Sequence, residues 1–391
     1  MITVTDALTE VFKLISPLQT ESVPLAEAVG RTLAAPATAT RDQPPFASSA
    51  MDGYAVIGVE VEDDVMFKVI GEAAAGHGFD GKIKAGQAVR IFTGAPVPQG
   101  ATRVVIQEDV TRKGDLITLG RNLDQNIYIR PAGGDFKAGD TLDAPRLLTA
   151  SDIALLASMN IAQVTVTRRP VIALMATGDE LVMPGENPDP DQIIASNNFG
   201  LKALVEQHGA QARMLPIARD NQASLEAAFA LCNDVDLIVT IGGASVGDHD
   251  LVAQVATDLG LDRAFYKVSM RPGKPLMAGK MNGIPMIGLP GNPVSSMVCG
   301  HIFLLPAIAA MLGFQAKAHP RQTATLTQDM PANGGREHYM RARVENGEIT
   351  PFERQDSALL TVLSNANALL IRGVGAAEIS KGEQVEYIRL D

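Results

Sequence analysis

The stretch Asp236-Leu237-Ile238-Val239-Thr240-Ile241-Gly242-Gly243-Ala244-Ser245-Val246-Gly247-Asp248-His249-Asp250 decides the fold. Asp236 to Ile241 reads as a short buried strand, and the glycine-rich loop behind it opens a helix after Asp248. Outward from this stretch the same alternation repeats. It predicts a strand at Val171 to Ala176, a helix at Asn198 to His208 closed by Gly209, and a helix at Gln222 to Leu231. Further along it predicts strands through Phe265 to Val268 and at Pro285 to Leu289, then a helix from Pro293 to Leu312 closed by Gly313. Strands alternating with helices imply a parallel, doubly wound sheet, whose ligand sits beyond the carboxyl ends of its strands.

The flanks read differently. Leu8, Val11, Phe12 and Ile15 repeat at helical spacing behind Thr5, an N-cap candidate, and Ser16-Pro17 stops the pattern. From about Arg41 to Thr141 the chain turns to short β-rich runs such as Val104-Val105-Ile106 and Leu116-Ile117-Thr118-Leu119, with a hairpin break at Lys113-Gly114-Asp115. Ser151-Asp152 caps a short helix ending near Asn160, and Arg168-Arg169-Pro170 marks a boundary. Beyond Pro320, runs at Tyr339 to Val344, Ala368 to Ile371 and Gln384 to Ile388 read as a small terminal barrel. The fold class is therefore α/β plus β, in several domains.

Composition narrows the function. A chain of 391 residues is expected to form two to four domains at roughly 150 residues each. Its 46% hydrophobic and 20% charged residues are ordinary for a globular protein. No run approaches the roughly 18 consecutive apolar residues of a membrane span, so no membrane partner is expected. The net charge of −11 argues against nucleic acid, whose phosphates demand a basic surface; an anionic ligand must instead be met by a local basic patch. Cys232 and Cys299 lie far apart in apolar stretches, which predicts buried thiols. With no basic and apolar leader pattern in the first twenty residues, the expected location is the cytoplasm.

Four loops carry the chemistry. Thr177-Gly178-Asp179-Glu180-Leu181 places two carboxylates at a strand's end. Gly242 to Asp250 is a candidate phosphate cradle, since glycines let the backbone approach a ligand and the following helix offers free N–H donors. It matches neither the dinucleotide fingerprint nor the Walker A pattern. It does contain G-x-S-x-G, Gly243 to Gly247, which would make Ser245 the nucleophile of a serine hydrolase. Against that, Asp248 and Asp250 suit Mg²⁺ better than a developing oxyanion, and no downstream Asp and His pair completes a triad. The two acids could also serve only as helix caps. Arg271-Pro272-Gly273-Lys274-Pro275 and Leu289-Pro290-Gly291-Asn292-Pro293-Val294-Ser295-Ser296 are stiff turns at the same expected sheet edge. In the β-rich part, Ser48 to Ala55 and Phe92 to Pro98 spend Gly, Pro and hydroxyl residues in the same way, and the six histidines show no metal-ligand spacing.

These motifs together resemble the molybdopterin molybdenumtransferases, the family that includes the E domain of gephyrin. SSAMDGYAV, IFTGAPVP, NIYIRPAGGDFKAGD, TGDEL, the Asn197-containing SNNFGL, TIGGASVGDHD, RPGKPL and GLPGNPVSS run in order through almost the entire chain. The resemblance implies Mg²⁺-dependent transfer of molybdate onto the dithiolene of adenylylated molybdopterin, with release of AMP. It implies an elongated homodimer, and an upstream adenylyltransferase as a further partner. It implies α/β segments at 1–19 and 170–319, a connecting and dimerisation domain at 20–39 and 140–169, a β-rich domain at 40–139 and the barrel at 320–391.

By motif, the resemblance gives the catalytic set as Asp52, Thr93, Glu180, Asp220, Asp250 and Lys267. Asp52 and Thr93 would serve the site of the partner chain, with Asp135 a further polar contact, while Glu180, Asp220 and Asp250 would hold Mg²⁺. Ser245, Lys267, Arg271, Lys274 and Ser295 would face phosphate or molybdate oxygens, and Gly247, Asp248, Pro290 and Pro293 belong to the same cofactor-binding set. Arg341 and Ser357 of the barrel match oxyanion positions. The chain departs from the family at Arg271, where Lys is common, at Ala244 and at Gly134; none of these removes a catalytic group, but a planar guanidinium is not equivalent to an ammonium. A non-catalytic scaffold of the same fold is the rival expectation, and the presence of Glu180, Asp220, Asp248 and Asp250 favours the enzyme.

Overall fold

The computed structural model describes residues 1–243 and 251–390. Ser245, Gly247, Asp248 and Asp250 therefore lie outside the described residues. The N-terminal helix α1 (Val4–Leu14) is capped by the Thr3 hydroxyl, which accepts from the Asp6 N–H at 3.1 Å. The cap is thus two residues earlier than Thr5, because Val4 already packs into the apolar core and draws the first turn in with it. Contacts divide the chain into two units. One comprises Met1–Glu21, Gly30–Ala34 and Val166–Asp391, the other Ser22–Val29 and Ala35–Thr165.

The second unit is built on strands β1 (Gly53–Val56), β2 (Met66–Ala73), β3 (Gln87–Ile91), β4 (Arg103–Ile106), β5 (Val110–Lys113) and β6 (Leu116–Leu119). They pair in the order β4-β1-β3-β2-β6-β5, antiparallel except for β2 with β3. The hairpin at Gly114, whose φ is +60°, joins β5 to β6 as its break predicts, while Val104 to Ile106 pairs with β1 instead. Alternation sends Tyr54 and Val56 to one core and Ala55 to another, so both faces of this sheet are packed. The helix α2 (Ala150–Ser158) is held by a capping box in which Thr149, not Ser151, is the cap and Asp152 is the reciprocal acceptor.

The first unit contains β7 (Val171–Ala176), α3 (Asn197–Gln207), β8 (Gln211–Met214), α4 (Gln222–Ala230), β9 (Leu237–Ile241), α5 (Leu251–Asp258), β10 (Leu261–Tyr266), β11 (Met277–Met281) and β12 (Ile284–Leu289). The sheet order is β8-β7-β9-β12-β11-β10. It is not wholly parallel: β11 runs against β12 and β10, because it returns from the preceding turn as the first arm of a hairpin closed at Asn282-Gly283. Alternate residues serve opposite cores. Ile172, Leu174 and Val239 pack with α1, α3 and the long helix α6 (Pro293–Met311), while Ala173, Met175 and Ile238 pack with α4 and α5. The sheet is doubly wound.

The 19 residues of α6, with mean hydropathy 1.8, are long and apolar enough to cross a membrane, yet 89% of that stretch is buried inside the protein as a core helix. It is not uniformly α: Gly300–Leu304 forms a π turn. Pro306 has no N–H for the Ile302 carbonyl and its ring crowds that group, which a wider turn relieves.

Strands β13 (Gln322–Leu326), β14 (Glu337–Glu345), β15 (Glu348–Pro351), β16 (Ala368–Arg372) and β17 (Gln384–Arg389) pair in the order β14-β15-β13-β17-β16 and close through β14 with β16. That is the expected terminal barrel, with a short helix at Leu360–Asn365 that its strand-like texture does not announce. Tyr339, Leu369, Ile371 and Ile388 leave the barrel's own core and join the α/β core, so barrel and sheet share one apolar interior.

Candidate active site

Register aligns the chemistry. Ala176 lies opposite Ile241, Ile241 opposite Leu289, and Tyr266 opposite Met277, which itself faces Gly288. Strands β7, β9, β12 and β10 therefore end at one edge, and the four unusual turns all leave from it. Glu180 and its neighbours in the acid turn, together with Gly242 and Gly243, Pro290 to Pro293, and Pro275 of the fourth turn, line a cavity of about 950 Å³, with Asp220 also on its wall. The size suits a small-molecule ligand.

Each turn has a local cause. At Gly243, φ is +69° and an added Cβ would fall 2.1 Å from Val252 Cγ2; at Gly242, φ is +97° and a Cβ would fall 2.8 Å from the Thr177 carbonyl oxygen. Only glycine fits there. The turn after β12 is pinned from α3, where Asn197 Nδ2 donates to the Gly291 carbonyl at 2.7 Å, and from α6, where the Ser296 hydroxyl donates to the carbonyls of Pro290 and Asn292. Ser295, one residue earlier, is buried and does not line the cavity. The acid turn is gripped by Arg219, whose Nη1 donates to the carbonyls of Gly178, Asp179 and Leu181 at 3.3, 2.9 and 3.1 Å. Asp220 donates its N–H to Asp179 Oδ1 at 3.0 Å. Burial, then the charges of Asp179 and Glu180, push the Asp220 carboxyl above the usual carboxylate range.

The fourth turn belongs to a cationic cluster. Lys267 has φ +70° and its Nζ sits 4.7 Å from the Tyr266 ring centroid. Met270–Arg271 pairs with β14 of the barrel, setting Arg271 opposite His338. Lys274 is half-buried and its carbonyl accepts from the Val268 N–H at 3.0 Å. Arg341 is fully buried; Nη2 donates to the Asp356 carbonyl at 2.9 Å, and Nε and Nη1 have no partner among the described residues. Burial and the charge of Arg271 weaken its hold on its proton, against the opposing pull of Asp356. His338 is buried, its Nε2 without a partner among the described residues, and burial, then Arg271, Arg341 and Arg336, push its pKa down to about 4. The Ser357 carbonyl accepts from the Val294 N–H at 3.0 Å, tying the barrel to the start of α6. Lys267, Arg271, Lys274, Arg341 and Ser357 stand off the cavity wall, which their neighbours Pro275 and Ala358 reach.

In the other unit, Asp52 Oδ1 accepts from the N–H and hydroxyl of Thr93 at 2.7 and 2.8 Å. Those two bonds, with the charge of Arg90, hold its carboxyl below the usual range. Arg90 lies 5.1 and 4.6 Å from the ring centroids of Tyr54 and Phe92 and donates to the Gly53 carbonyl at 3.0 Å. Asp135 is exposed and takes no part in that pair; its N–H donates to the Gln43 carbonyl at 2.9 Å.

Three segments match known families: residues 2–160 the MoeA N-terminal region (domain I and II), residues 173–310 a probable molybdopterin binding domain, and residues 323–390 the MoeA C-terminal region (domain IV). The chain is 35% identical to the molybdopterin molybdenumtransferase of Nostoc sp. over 97% of its own length and 90% of the relative's. It is likewise 35% identical to the Haemophilus influenzae protein of that name, over 94% and 93%. The chain belongs to the molybdopterin molybdenumtransferase family. The crystal structure of the molybdopterin biosynthesis MoeA protein from Pyrococcus horikoshii is similar in fold, with 27% identity, a TM-score of 0.84 and full coverage of both chains.

In this member of the transferase family the fold brings to the residues singled out by motif several side chains that the motifs do not reveal. Arg219 and Arg90 act on backbone carbonyls, for which no spacing rule exists, and His338 becomes notable only because pairing sets it opposite Arg271. Thr177 and Asn198 line the cavity with buried oxygens that have no partner among the described residues. Of these, Thr177 lies in the TGDEL turn and Asn198 in SNNFGL, whereas Arg219, Arg90 and His338 lie outside the quoted motifs.

Proposed function

We propose that this chain inserts molybdenum into molybdopterin, joining molybdate to the dithiolene of the adenylylated pterin and releasing AMP with the help of Mg²⁺. The observation that carries the reading is the arrangement at one sheet edge: a cavity walled by Glu180 and Asp220, served by turns whose neighbours are Arg271, Arg341 and His338. Carboxylates suit a hard cation, and unpartnered buried donors suit an oxyanion. Both substrates are anions, so a protein of net charge −11 must hold them this way.

Mg²⁺ fits the residues present. Asp179, Glu180 and Asp220 crowd negative charge, and burial, then the charges of Asp179 and Glu180, raise the Asp220 carboxyl. Among the described residues no group of three His, Cys, Asp or Glu side chains is arranged to hold a metal, and the third expected ligand, Asp250, lies outside them. When bound, Mg²⁺ would neutralise the phosphate oxygens of the adenylyl link. Glu180, Asp220 and Asp250 would hold it there; Lys267 and Ser245 would meet phosphate oxygens, while Ser295, buried behind the turn after β12, would support that turn from below; Arg271, Lys274, Arg341 and Ser357 would hold molybdate. Gly247, Asp248, Pro290 and Pro293 would shape the pterin site.

Asp52 of the partner subunit and Thr93 of the partner subunit would complete the site, with Asp135 of the partner subunit beside them, which makes the working form a cytoplasmic homodimer fed by an adenylyltransferase. The test is direct. Adenylylated molybdopterin, molybdate and Mg²⁺ should yield AMP, and Asp250→Asn should stop that release while melting as wild type does, because Asn caps a helix about as well as Asp. A stable, fully active Asp250→Asn protein refutes the metal role.

A further inference from the structure

We infer that Arg219 is a positioning residue: through the backbone of the acid turn it sets Glu180 and Asp220 so that both carboxylates can meet one divalent cation. The inference rests on the Mg²⁺ reading above. One guanidinium nitrogen of Arg219 donates to three carbonyls of a five-residue turn, those of Gly178, Asp179 and Leu181, on both sides of Glu180. The conformation so fixed is unusual, with Gly178 at φ +149°. A Cβ added at Gly178 would fall 2.4 Å from Glu180 Oε2, so the turn folds the Glu180 carboxylate back over the glycine. The path of the backbone therefore decides where that carboxylate points.

Arg219 also precedes Asp220 in the chain, so the residue that grips the turn fixes the second acid too. Its own N–H donates to Ser224 Oγ at 2.9 Å in the first turn of α4, and the Asp220 N–H donates to Asp179 Oδ1. Thr177 bridges to Ala218, and the Gly178 N–H donates to the Ala218 carbonyl at 3.0 Å. Segments 177–181 and 218–220 are thus laced into one body. The charge of Arg219 is spent on carbonyls. Among the described residues none of Asp179, Glu180 and Asp220 is ion-paired within 4.0 Å. The acids are oriented by a cation that does not occupy their lone pairs, which leaves those lone pairs for a metal. An arginine neutralising the acids would have competed with that metal.

The experiment titrates Mn²⁺, which takes the same oxygen donors as Mg²⁺, into the full-length protein and follows free Mn²⁺ by electron paramagnetic resonance. Thermal melting without metal and AMP release are measured in parallel. Arg219→Met should raise the Mn²⁺ dissociation constant about 10–100-fold, the usual loss when a partner that orients a metal ligand is removed. Arg219→Lys keeps the charge but not the reach, and should show an intermediate rise. A folded Arg219→Met protein with unchanged Mn²⁺ affinity, even one that melts earlier, overturns the inference, because a merely structural role moves stability alone. Should Arg219→Met not fold, Arg219→Lys carries the test, and unchanged affinity in it is the overturning result. Wild-type protein that binds Mn²⁺ but releases no AMP overturns the reaction reading and leaves the Arg219 role to the metal titration. Wild-type protein that releases AMP, beside a variant of unchanged affinity, overturns the Arg219 role alone.

Discussion

Acid should destabilise the unit that carries the cavity, and His301 provides a place to measure it. This side chain lies in the π turn of α6, 7% exposed, with Nδ1 lacking a partner among the described residues. Burial, then the nearby His319 and His208, push its pKa from 6.5 down to about 4. A histidine depressed in the fold is neutral there while the unfolded chain takes up the proton, so stability falls as pH drops from about 6.5 towards about 4. For those two values the loss between about pH 7 and about pH 5 is about 2 kcal/mol, a substantial part of a typical total of roughly 5–15 kcal/mol. The assay is urea unfolding followed by far-UV circular dichroism, since the chain has no tryptophan. His301→Leu keeps an apolar side chain of similar size in the core and removes the titrating ring. It should be at least as stable as wild type near pH 7, since an unpartnered buried nitrogen is lost, and should give up about 2 kcal/mol less on acidification. Equal acid losses in the two proteins would refute the reasoning.

Asp52→Asn should keep the Thr93 bonds through its remaining oxygen and melt as wild type does, while AMP release falls about tenfold or more as charge-assisted contacts are lost; wild-type activity in a parallel assay argues against Asp52 acting through its charge. The depressed carboxyl of Asp52 also predicts that its contribution is present at neutral pH and is lost only as pH falls through a value below the usual carboxylate range, which a pH–rate profile checks. Gly243→Ala must displace Val252 from 2.1 Å and should cost about 1–3 kcal/mol in denaturant unfolding; adding Val252→Ala should recover part of it. Lys274→Ala and Arg341→Ala should each raise the molybdate concentration needed for half-maximal AMP release more than they weaken binding of the adenylylated pterin. An unchanged molybdate response in both would show that the oxyanion sits elsewhere.

Much of this protein is legible residue by residue because its signals are local. The apolar run ending in Gly242-Gly243 states both a buried strand and a turn that admits no side chain. Gly313 closes α6, and the break at Gly114 makes the expected hairpin. The acids of the TGDEL turn and of Asp220 are visible in the sequence, as are the proline-stiffened turns, and strand order then carries those turns to one edge. The net charge of −11 argues against a nucleic-acid surface without any coordinates.

What the sequence could not state depends on partners distant in the chain. The reversal of β11 follows from which strands it pairs with, and its apolar run reads the same in either direction. Arg341 stands out in the sequence only by its match to a family position; that closure of the barrel and its packing on the α/β core remove it from water, with two donors unpaired among the described residues, is decided by the fold. Arg219 has no motif, because backbone carbonyls carry no residue identity; only the fold brings Gly178, Asp179 and Leu181 within reach of one nitrogen. Local propensity and periodicity are written in neighbouring residues and so determined the elements and their chemistry. Burial, pairing direction and the sharing of one donor among several acceptors are sums over contacts from separate stretches of chain, and those the tertiary structure alone decided.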